Sequence, residues 1–262
     1  MTDYATRLKP ADQAPRFHTT KARIGGALVY AIGDVHGRYD LFREMLALIA
    51  ADIPRRAAGR RPVLVPCGDY IDRGPQSAEV LAALDWLRRD PRIELHAIKG
   101  NHEQKFLAFI KNPADGLSWL TFGGDATLRS YGVAPPIDFE DGDDCLRARD
   151  DLLERMPAAH VKLLEELEMM AIIGDYAFVH AGIRPGVKLA RQRDQDLMWI
   201  RDGFLEQTGK FEKRIVHGHS WTEAEPEIFD NRIGLDTGAY QTGVLTAVRI
   251  EDGEVELLQT GR

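Results

Sequence analysis

Two carboxylates and a guanidinium stand close together in residues 68–74, whose sequence is GDYIDRG. Asp69 and Asp72 are three residues apart, and Arg73 follows them directly. An apolar run at residues 62–65 precedes the stretch, so we expect a buried β-strand to deliver Asp69 to the end of a sheet. This combination suits a metal site that also holds an anion. The alternative is a solvated surface ion pair, as in many acidic loops.

Two similar stretches flank this one. Residues 33–37 read GDVHG and residues 100–103 read GNHE, and each follows a strand-like apolar run. Asp34 and Asp69 are separated by 35 positions, and Asp69 and His102 by 33. Each interval has the size of a βαβ unit, which brings the carboxyl ends of its strands together. The spacing therefore predicts one site built from three strand ends.

Composition limits the classes of protein that this chain can be. Its 262 residues, 44% of them hydrophobic, suffice for one large domain or two small ones. No apolar run approaches the ~18 residues of a membrane span, and the first residues lack the regions of a signal peptide. Cys67 and Cys145 give no disulfide framework, so we expect a reducing, cytoplasmic location and no membrane partner.

The charge of the chain argues against a nucleic-acid partner, because the formal net charge is −7. One basic cluster occupies residues 55–61. We interpret it as a solvated connector, with a docking patch for an acidic partner as the alternative.

Alternating strand and helix patterns predict an α/β fold with ligands at the carboxyl ends of the strands. We expect an irregular N-terminal arm over residues 1–26 and a single domain over residues 27–262. Helical periodicity over residues 38–50 and 77–87 follows the first two strand ends. Residues 112–168 lack a convincing strand and are predicted to be a helical cap insertion. Short antiparallel strands are expected near the C-terminus, with a turn at Asp252–Gly253.

Nine side chains at predicted strand ends or in later histidine-containing blocks could carry chemistry: Asp34, His36, Asp69, Asp72, Arg73, Asn101, His102, His180 and His219. Carboxylate, amide and imidazole ligands suit manganese, iron or zinc. There are more of them than one ion needs, whereas two ions ~3.5–4 Å apart that share a carboxylate would use them all. Such a pair generates hydroxide near neutral pH, so no protein nucleophile is required. Glycine-rich phosphate loops and a G-x-S-x-G elbow are absent from the sequence.

The blocks GDVHG, GDYIDRG and GNHE resemble the signatures of the phosphoprotein phosphatase family within the calcineurin-like metallophosphoesterases. The later blocks FVHAG, LMWIR and VHGHS extend this resemblance over about residues 29–248. It is closest to bacterial serine/threonine phosphatases and to the symmetrical dinucleoside-tetraphosphatase branch. The resemblance implies a β-sandwich flanked by helices, with metal ions at the carboxyl ends of the strands.

The resemblance also assigns roles to individual residues. It implies six ligands for two divalent ions, with manganese expected and iron or zinc as alternatives: Asp34, His36, Asp69, Asn101, His180 and His219. Asp69 would bridge the two ions. His102 would be the general acid that protonates the leaving group, oriented by Asp72. Three side chains would hold the substrate phosphate: Arg73, Arg201 and Asn101.

Several residues have open roles at this stage. His217 is interpreted as structural or as a support for the metal ligands, since only His219 matches the family position. Arg184 is a weaker phosphate ligand candidate, and Glu103 is expected to accept hydrogen bonds behind the ligands. Trp119 and Trp221 shape either the rim of the site or the core.

The leading hypothesis is a metal-dependent phosphomonoesterase that acts on phosphoserine or phosphothreonine in proteins. The closest alternative is hydrolysis of dinucleoside polyphosphates or other nucleotides by the same site. A nuclease of the same superfamily is disfavoured, because Gly218-His219-Ser220-Trp221 lacks the second histidine of a Gly-His-x-His block. A non-catalytic phosphate-binding module would require a damaged ligand set, and the set is complete. The sequence leaves the oligomeric state open.

Overall fold

The structure is a computed structural model that describes residues 17–261. Within this range the chain forms two sheets whose strands, in chain order, are β1 (Phe17–Thr19), β2 (Val29–Ile32), β3 (Val63–Pro66), β4 (Glu94–Leu95), β5 (Ala171–Ile173), β6 (Tyr176–Phe178), β7 (Arg214–His217), β8 (Glu227–Ile228), β9 (Arg232–Gly234), β10 (Leu245–Glu251) and β11 (Glu254–Thr260). One sheet has the strand order β1-β11-β10-β2-β3-β4 and the other β5-β6-β7-β9-β8. Strands β2, β3 and β4 are parallel, as are β6, β7 and β9.

The helices of the described chain are α1 (Tyr39–Arg56), α2 (Ser77–Arg88), α3 (Asn101–Lys111), α4 (Gly116–Trp119), α5 (Asp125–Ser130), α6 (Gly142–Arg155), α7 (Ala158–Glu165), α8 (Asp194–Trp199) and α9 (Ala239–Thr242). Helix α1 continues one and a half turns beyond the predicted end and includes Pro54. A proline in the last turn removes only one backbone hydrogen bond, so it does not end the helix earlier.

Side chains alternate between the two faces of a strand, and this alternation explains why the two sheets pack against each other. In β2, Val29 and Ala31 face the second sheet, where they join a core that includes Phe178 and Val216. The intervening Tyr30 and Ile32 face the other way and pack with the helices on the outer side of the first sheet. Both faces of this strand are therefore buried, which accounts for its unbroken apolar sequence.

The predicted α/β architecture, a two-sheet sandwich flanked by helices, is confirmed. Helices α4 to α7 lie within residues 112–168, the segment predicted to be a cap insertion and called the cap below. In the predicted N-terminal arm, residues 1–16 lie outside the described range, whereas Phe17–Thr19 form a strand against β11. The unpaired edge of β11 provides the backbone partners for this strand. No helix among the described residues combines the length and apolar character needed to cross a bilayer.

Candidate metal centre

The carboxyl ends of the two sheets meet at one place, and the predicted ligands lie there. Asp34 and Asp69 follow β2 and β3 of the first sheet, while His180 and His219 follow β6 and β7 of the second. Backbone hydrogen bonds hold the loops together. The N–H of His36 donates to the Asp69 carbonyl over 2.8 Å, and the N–H of Gly218 donates to the His180 carbonyl over 2.8 Å.

Two groups of three buried side chains share Asp69. One group is His36, Asp69 and His102, and the other is Asp69, His180 and His219; within each, the potential ligand atoms lie within 4.8 Å of one another. The Asp69 Oδ2 is 3.4 Å from His36 Nε2, and its Oδ1 is 3.4 Å from His180 Nε2. A carboxylate with one oxygen toward each group is arranged as a bridging ligand would be.

The remaining two predicted ligands lie beside these groups. The Asn101 Oδ1 is 2.9 Å from His180 Nε2. Asp34 accepts a hydrogen bond from the backbone N–H of His219 over 3.0 Å through Oδ2. Its Oδ1 is buried and has no hydrogen-bond partner. A buried carboxylate oxygen without a donor is costly unless a cation compensates it, so the donor set fits divalent metal ions.

Backbone carbonyls orient two of the imidazoles. His36 donates from Nδ1 to the Ile71 carbonyl over 3.0 Å, and His180 donates from Nδ1 to the Cys67 carbonyl over 2.8 Å. When either ring is neutral, this donation leaves Nε2 as the unprotonated nitrogen, and in both rings Nε2 is directed toward Asp69. This is the arrangement in which a histidine ligates a metal.

The loops at the site hold strained backbone conformations. Six described residues other than glycine have positive φ angles, and five of them belong to the predicted site: His36 (44°), Asp69 (52°), Asp72 (72°), Arg73 (67°) and His219 (65°). Such conformations each cost of order 1–3 kcal/mol and persist where the surrounding structure enforces them. Close packing at the motif glycines is part of that enforcement, because a Cβ on Gly218 would overlap the Asp34 carboxylate.

Burial changes the pKa values of the predicted ligands. Desolvation, reinforced by the charges of Asp236 and Asp69, raises the pKa of Asp34 well above its usual value. Desolvation also lowers the pKa of His219 to about 2, so this ring is neutral and able to ligate. Burial opposes ionisation of Asp69 too, but the imidazoles of His180 and His102 outweigh it and hold the pKa of this carboxyl well below its usual range.

His102 is held by a carboxylate that is itself held on several sides. Its Nδ1 is 2.7 Å from Asp72 Oδ2, and its Nε2 is buried without a hydrogen-bond partner. Asp72 also accepts from Trp119 Nε1 over 2.9 Å and from the Thr127 hydroxyl over 2.7 Å. Burial lowers the pKa of His102, but the charge of Asp69 and the hydrogen bond with Asp72 overcome it, and the net pKa lies above its ordinary value.

The cations predicted to hold phosphate differ in their surroundings. Arg73 is half-buried, with its guanidinium 4.6 Å from the centre of the Tyr240 ring. Arg201 is exposed and donates to the His219 carbonyl over 3.3 Å, beside the second histidine group. Arg184 instead forms a two-pronged ion pair with Asp196, which occupies its guanidinium.

The contacts of His217, Trp119 and Trp221 indicate the roles that the sequence left open. His217 is buried against Phe204, 5.1 Å between ring centres, and its Nδ1 donates to the Gly218 carbonyl. It therefore has a packing role. Trp119 is fully buried and belongs to the core while its Nε1 reaches Asp72. Trp221 is half-buried and packs at the rim against Tyr240.

Glu103 lies directly behind the ligands, as predicted. Its carboxylate accepts from the backbone N–H groups of Asp69, Tyr70 and Gly100 over 2.8–3.0 Å. Burial, with the charge of Asp69, raises the pKa of Glu103 to about 7.

Sequence reasoning missed Asp236, which is buried at the end of β9 close to Asp34. Burial raises the pKa of Asp236 to about 6. Part of the signal was present, because Asp236 follows Ile233-Gly234-Leu235, although no Gly directly precedes it as one precedes Asp34 and Asp69. Lys105, Phe122 and Tyr240 were also missed, since no motif marks them.

Comparison of the sequence with known proteins identifies a matching family and several relatives. The family model for calcineurin-like phosphoesterases matches residues 27–232. Serine/threonine-protein phosphatase 2 of Escherichia coli strain K12 is 28% identical over 85% of this chain and 93% of its own length. A symmetrical bis(5'-nucleosyl)-tetraphosphatase of Vibrio campbellii is 25% identical over 86% of this chain and 96% of its own length.

Solved structures share the fold at lower identity. A protein provisionally identified as a diadenosine tetraphosphatase superposes with a TM-score of 0.62 at 19% identity, covering 92% of this chain and 98% of the other. A cold-active protein tyrosine phosphatase superposes with a TM-score of 0.53 at 21% identity, covering 91% and 80%. The match of the family model to most of the chain shows that the protein belongs to the calcineurin-like phosphoesterase family.

Proposed function

We propose that this protein is a phosphomonoesterase with two divalent metal ions, manganese being the expected metal, and that it hydrolyses phosphoserine or phosphothreonine in proteins of the cytoplasm. The observation that carries the proposal is the buried, unpartnered Nε2 of His102, which lies beside Asp69 while Asp72 holds the opposite nitrogen. A protonated imidazole fixed in this way can deliver its proton to one position in the site.

The six proposed ligands are Asp34, His36, Asp69, Asn101, His180 and His219. When bound, a pair of divalent ions supplies Lewis-acid activation of the phosphoryl group and of the attacking water. Asp69 faces both groups of histidines with one oxygen each. The amide of Asn101 adds an oxygen donor without adding negative charge, which favours an anionic substrate.

Protonation of the leaving group is assigned to His102. A seryl or threonyl alkoxide is a poor leaving group, so its departure requires a proton at the oxygen of the breaking bond. Asp72 favours the imidazolium form of His102, and Trp119 and Thr127 keep Asp72 in place. After the proton leaves Nε2, the ring stays hydrogen-bonded through Nδ1.

Arg73 and Arg201 are assigned to the non-bridging phosphate oxygens. Both are near the ligand groups, and neither guanidinium is occupied by a carboxylate among the described contacts. Guanidinium groups bind phosphate through paired, charge-assisted hydrogen bonds. A dianionic monoester gains more from them than a diester does.

A side-by-side assay tests the proposal. Purified protein is analysed for metal and supplied with Mn²⁺, and turnover of a phosphoserine peptide, a phosphothreonine peptide and diadenosine tetraphosphate is measured. We expect two metal ions per chain and release of phosphate from the peptides. Cleavage of diadenosine tetraphosphate alone would replace the proposed substrate class with the dinucleoside polyphosphates that two groups of relatives are named for.

A further inference from the structure

A single ammonium group stands between two aromatic rings at the edge of the metal centre. The Nζ of Lys105 lies 4.2 Å from the centre of the Phe122 ring and 5.2 Å from that of Trp199. Its other contacts are the carbonyl and hydroxyl oxygens of Ser118, at 2.9 and 2.7 Å. These contacts use uncharged groups, so the positive charge of Lys105 is not neutralised by them.

The same two rings contact the site histidines. The ring of Phe122 is 6.1 Å from that of His102, and the ring of Trp199 is 6.4 Å from that of His219. Trp199 is fixed by donation from Nε1 to the Gln104 side chain over 2.7 Å. The Phe122 ring therefore contacts both the Lys105 ammonium and His102, the proposed general acid. The Trp199 ring contacts both the ammonium and His219, a proposed ligand.

Lys105 also lines an open cleft between α3 and residues 114–121. The cleft has a volume of about 720 Å³ and is lined by Lys105 together with small, hydroxyl-bearing or apolar side chains: Ala108, Ala114, Leu117, Ser118 and Thr121. Leu117, which lines the cleft, and Phe122, which follows Thr121 of the lining, are each 42% exposed. In this described lining, Lys105 is the one charged side chain.

We propose that Lys105 is a specificity-determining residue that binds a carboxylate of the substrate beside the phosphorylated residue, so that phosphopeptides with a neighbouring aspartate or glutamate are preferred. An extended peptide advances about 3.3 Å per residue, and its neighbouring side chains can therefore span the one ring between Lys105 and the site. Contact with the faces of Phe122 and Trp199 limits where the ammonium can move, which lowers the entropy lost on binding.

The lining favours a peptide over a polyphosphate chain in this cleft. A polyphosphate chain carries several negative charges, and the described lining of the cleft offers one cation. A peptide instead places backbone and uncharged side chains along the small and apolar lining. The inference rests on the proposed hydrolysis of phosphoserine or phosphothreonine.

The test uses the full-length, manganese-loaded protein and two phosphoserine peptides that differ in having aspartate or asparagine on both sides of the phosphoserine. We expect kcat/KM to favour the aspartate peptide by about two- to fivefold, the size of one partly shielded charge pair. The difference should lie in KM. The substitution Lys105→Gln should bring the ratio close to one without a large change in kcat for the asparagine peptide, and Lys105→Arg should retain the preference.

Lys99→Gln is the matched control, because it removes the same charge from a lysine that contacts the Glu165 carbonyl rather than the cleft. A wild-type ratio near one, or a ratio that survives Lys105→Gln, would overturn the role of Lys105 alone. Failure to hydrolyse either peptide, with cleavage of diadenosine tetraphosphate, would overturn the proposed function and this inference together.

Discussion

The chemistry of the site depends most on His102, whose two ring nitrogens have different surroundings. Nδ1 faces Asp72 and Nε2 is buried without a partner. Changing His102→Asn should slow turnover by ~10²–10⁴, because the leaving group then departs without a positioned proton donor. Metal content should stay at the wild-type level, since other side chains hold the ions.

Steady-state kinetics together with metal analysis check this expectation. His18→Asn is the control, because His18 is exposed on β1, far along the sheet from the site. Unchanged turnover would remove His102 from the reaction. Loss of metal would instead make it a ligand, a role that its membership of the His36 and Asp69 group would then explain.

Trp119 belongs to the cap and donates a hydrogen bond to Asp72. Its Nε1 is the donor to Asp72, and the ring is fully buried between Phe106 and Phe109. Trp119→Phe should lower kcat by roughly tenfold, as one hydrogen bond to a charged group is worth about 1.5–3 kcal/mol. The exposed Trp86, treated in the same way, should leave kcat unchanged. Equal kcat in both variants would show that Asp72 is oriented without the hydrogen bond from Trp119.

At the scale of elements, the tight turn after β7 depends on Gly218. A Cβ at this position would overlap the Asp34 carboxylate, which follows β2 in the other sheet. Gly218→Ala should therefore displace a proposed ligand, lowering activity at limiting Mn²⁺ by at least about tenfold and destabilising the fold by about 1–3 kcal/mol.

Gly142→Ala is the comparison, since a Cβ there meets nothing within 4 Å at the start of α6. Activity across a Mn²⁺ titration and denaturant unfolding of both variants provide the measurement. If the two alanine variants titrate alike, the packing of Gly218 on Asp34 has no part in metal binding.

The edge where the cap returns to the first sheet contains a pH-sensitive contact. His96 Nε2 is 3.0 Å from Glu94, and its Nδ1 is 2.9 Å from Glu168. Partial burial opposes the charge on His96, but the two carboxylates outweigh it, and the net pKa is raised. A raised folded-state pKa stabilises the protein below the unfolded value near 6.5, and this stability is lost as pH rises through the folded pKa.

His96→Gln should thus destabilise the protein at pH 5.5 and have little effect at pH 9. The difference should stay below about 1 kcal/mol, because all three side chains are partly exposed to solvent. Urea unfolding at the two pH values measures it, with His18→Gln as the control for loss of an exposed histidine. A difference that is the same at both pH values would assign the effect of His96 to packing.

For the whole molecule, the proposed metal centre is the place where the two sheets are joined by charged groups. Asp69 belongs to the first sheet, whereas His180 and His219 belong to the second. Ions that bind only the folded state stabilise it by about 2.7 kcal/mol when the free ion concentration is 100 times Kd. Saturating Mn²⁺ should therefore raise Tm by roughly 5–10 °C for a chain of this size.

Thermal unfolding with and without Mn²⁺ checks this expectation in the wild type, in Asp69→Asn and in Asp150→Asn. Asp150 is a largely exposed carboxylate on α6, and its loss should leave the Mn²⁺-dependent shift intact. Asp69→Asn should reduce the shift strongly. Equal shifts in the two variants would mean that the stabilising ions bind elsewhere.

The sequence by itself determined the strands that end in ligands and the residues at those ends. A strand that ends at a functional turn is marked by an apolar run, then Gly, then a carboxylate or an amide. This signal lies entirely within a few neighbouring residues. That is why Asp34, Asp69 and Asn101 could be identified before any fold was known. Asp236 departs from this local rule, because Leu235 rather than Gly directly precedes it. The strand that leads to it, β9, was expected to be antiparallel but pairs in parallel with β7.

Only the tertiary structure decided which distant side chains surround these strand ends. Thr127 and Trp119 reach Asp72 from 55 and 47 positions away, and Lys105 is placed between Phe122 and Trp199. Such contacts carry no local periodicity, because they depend on how the cap packs over α3. The candidate ligands can thus be identified from the strand sequences, whereas the contacts of Asp72 and Lys105 depend on tertiary packing.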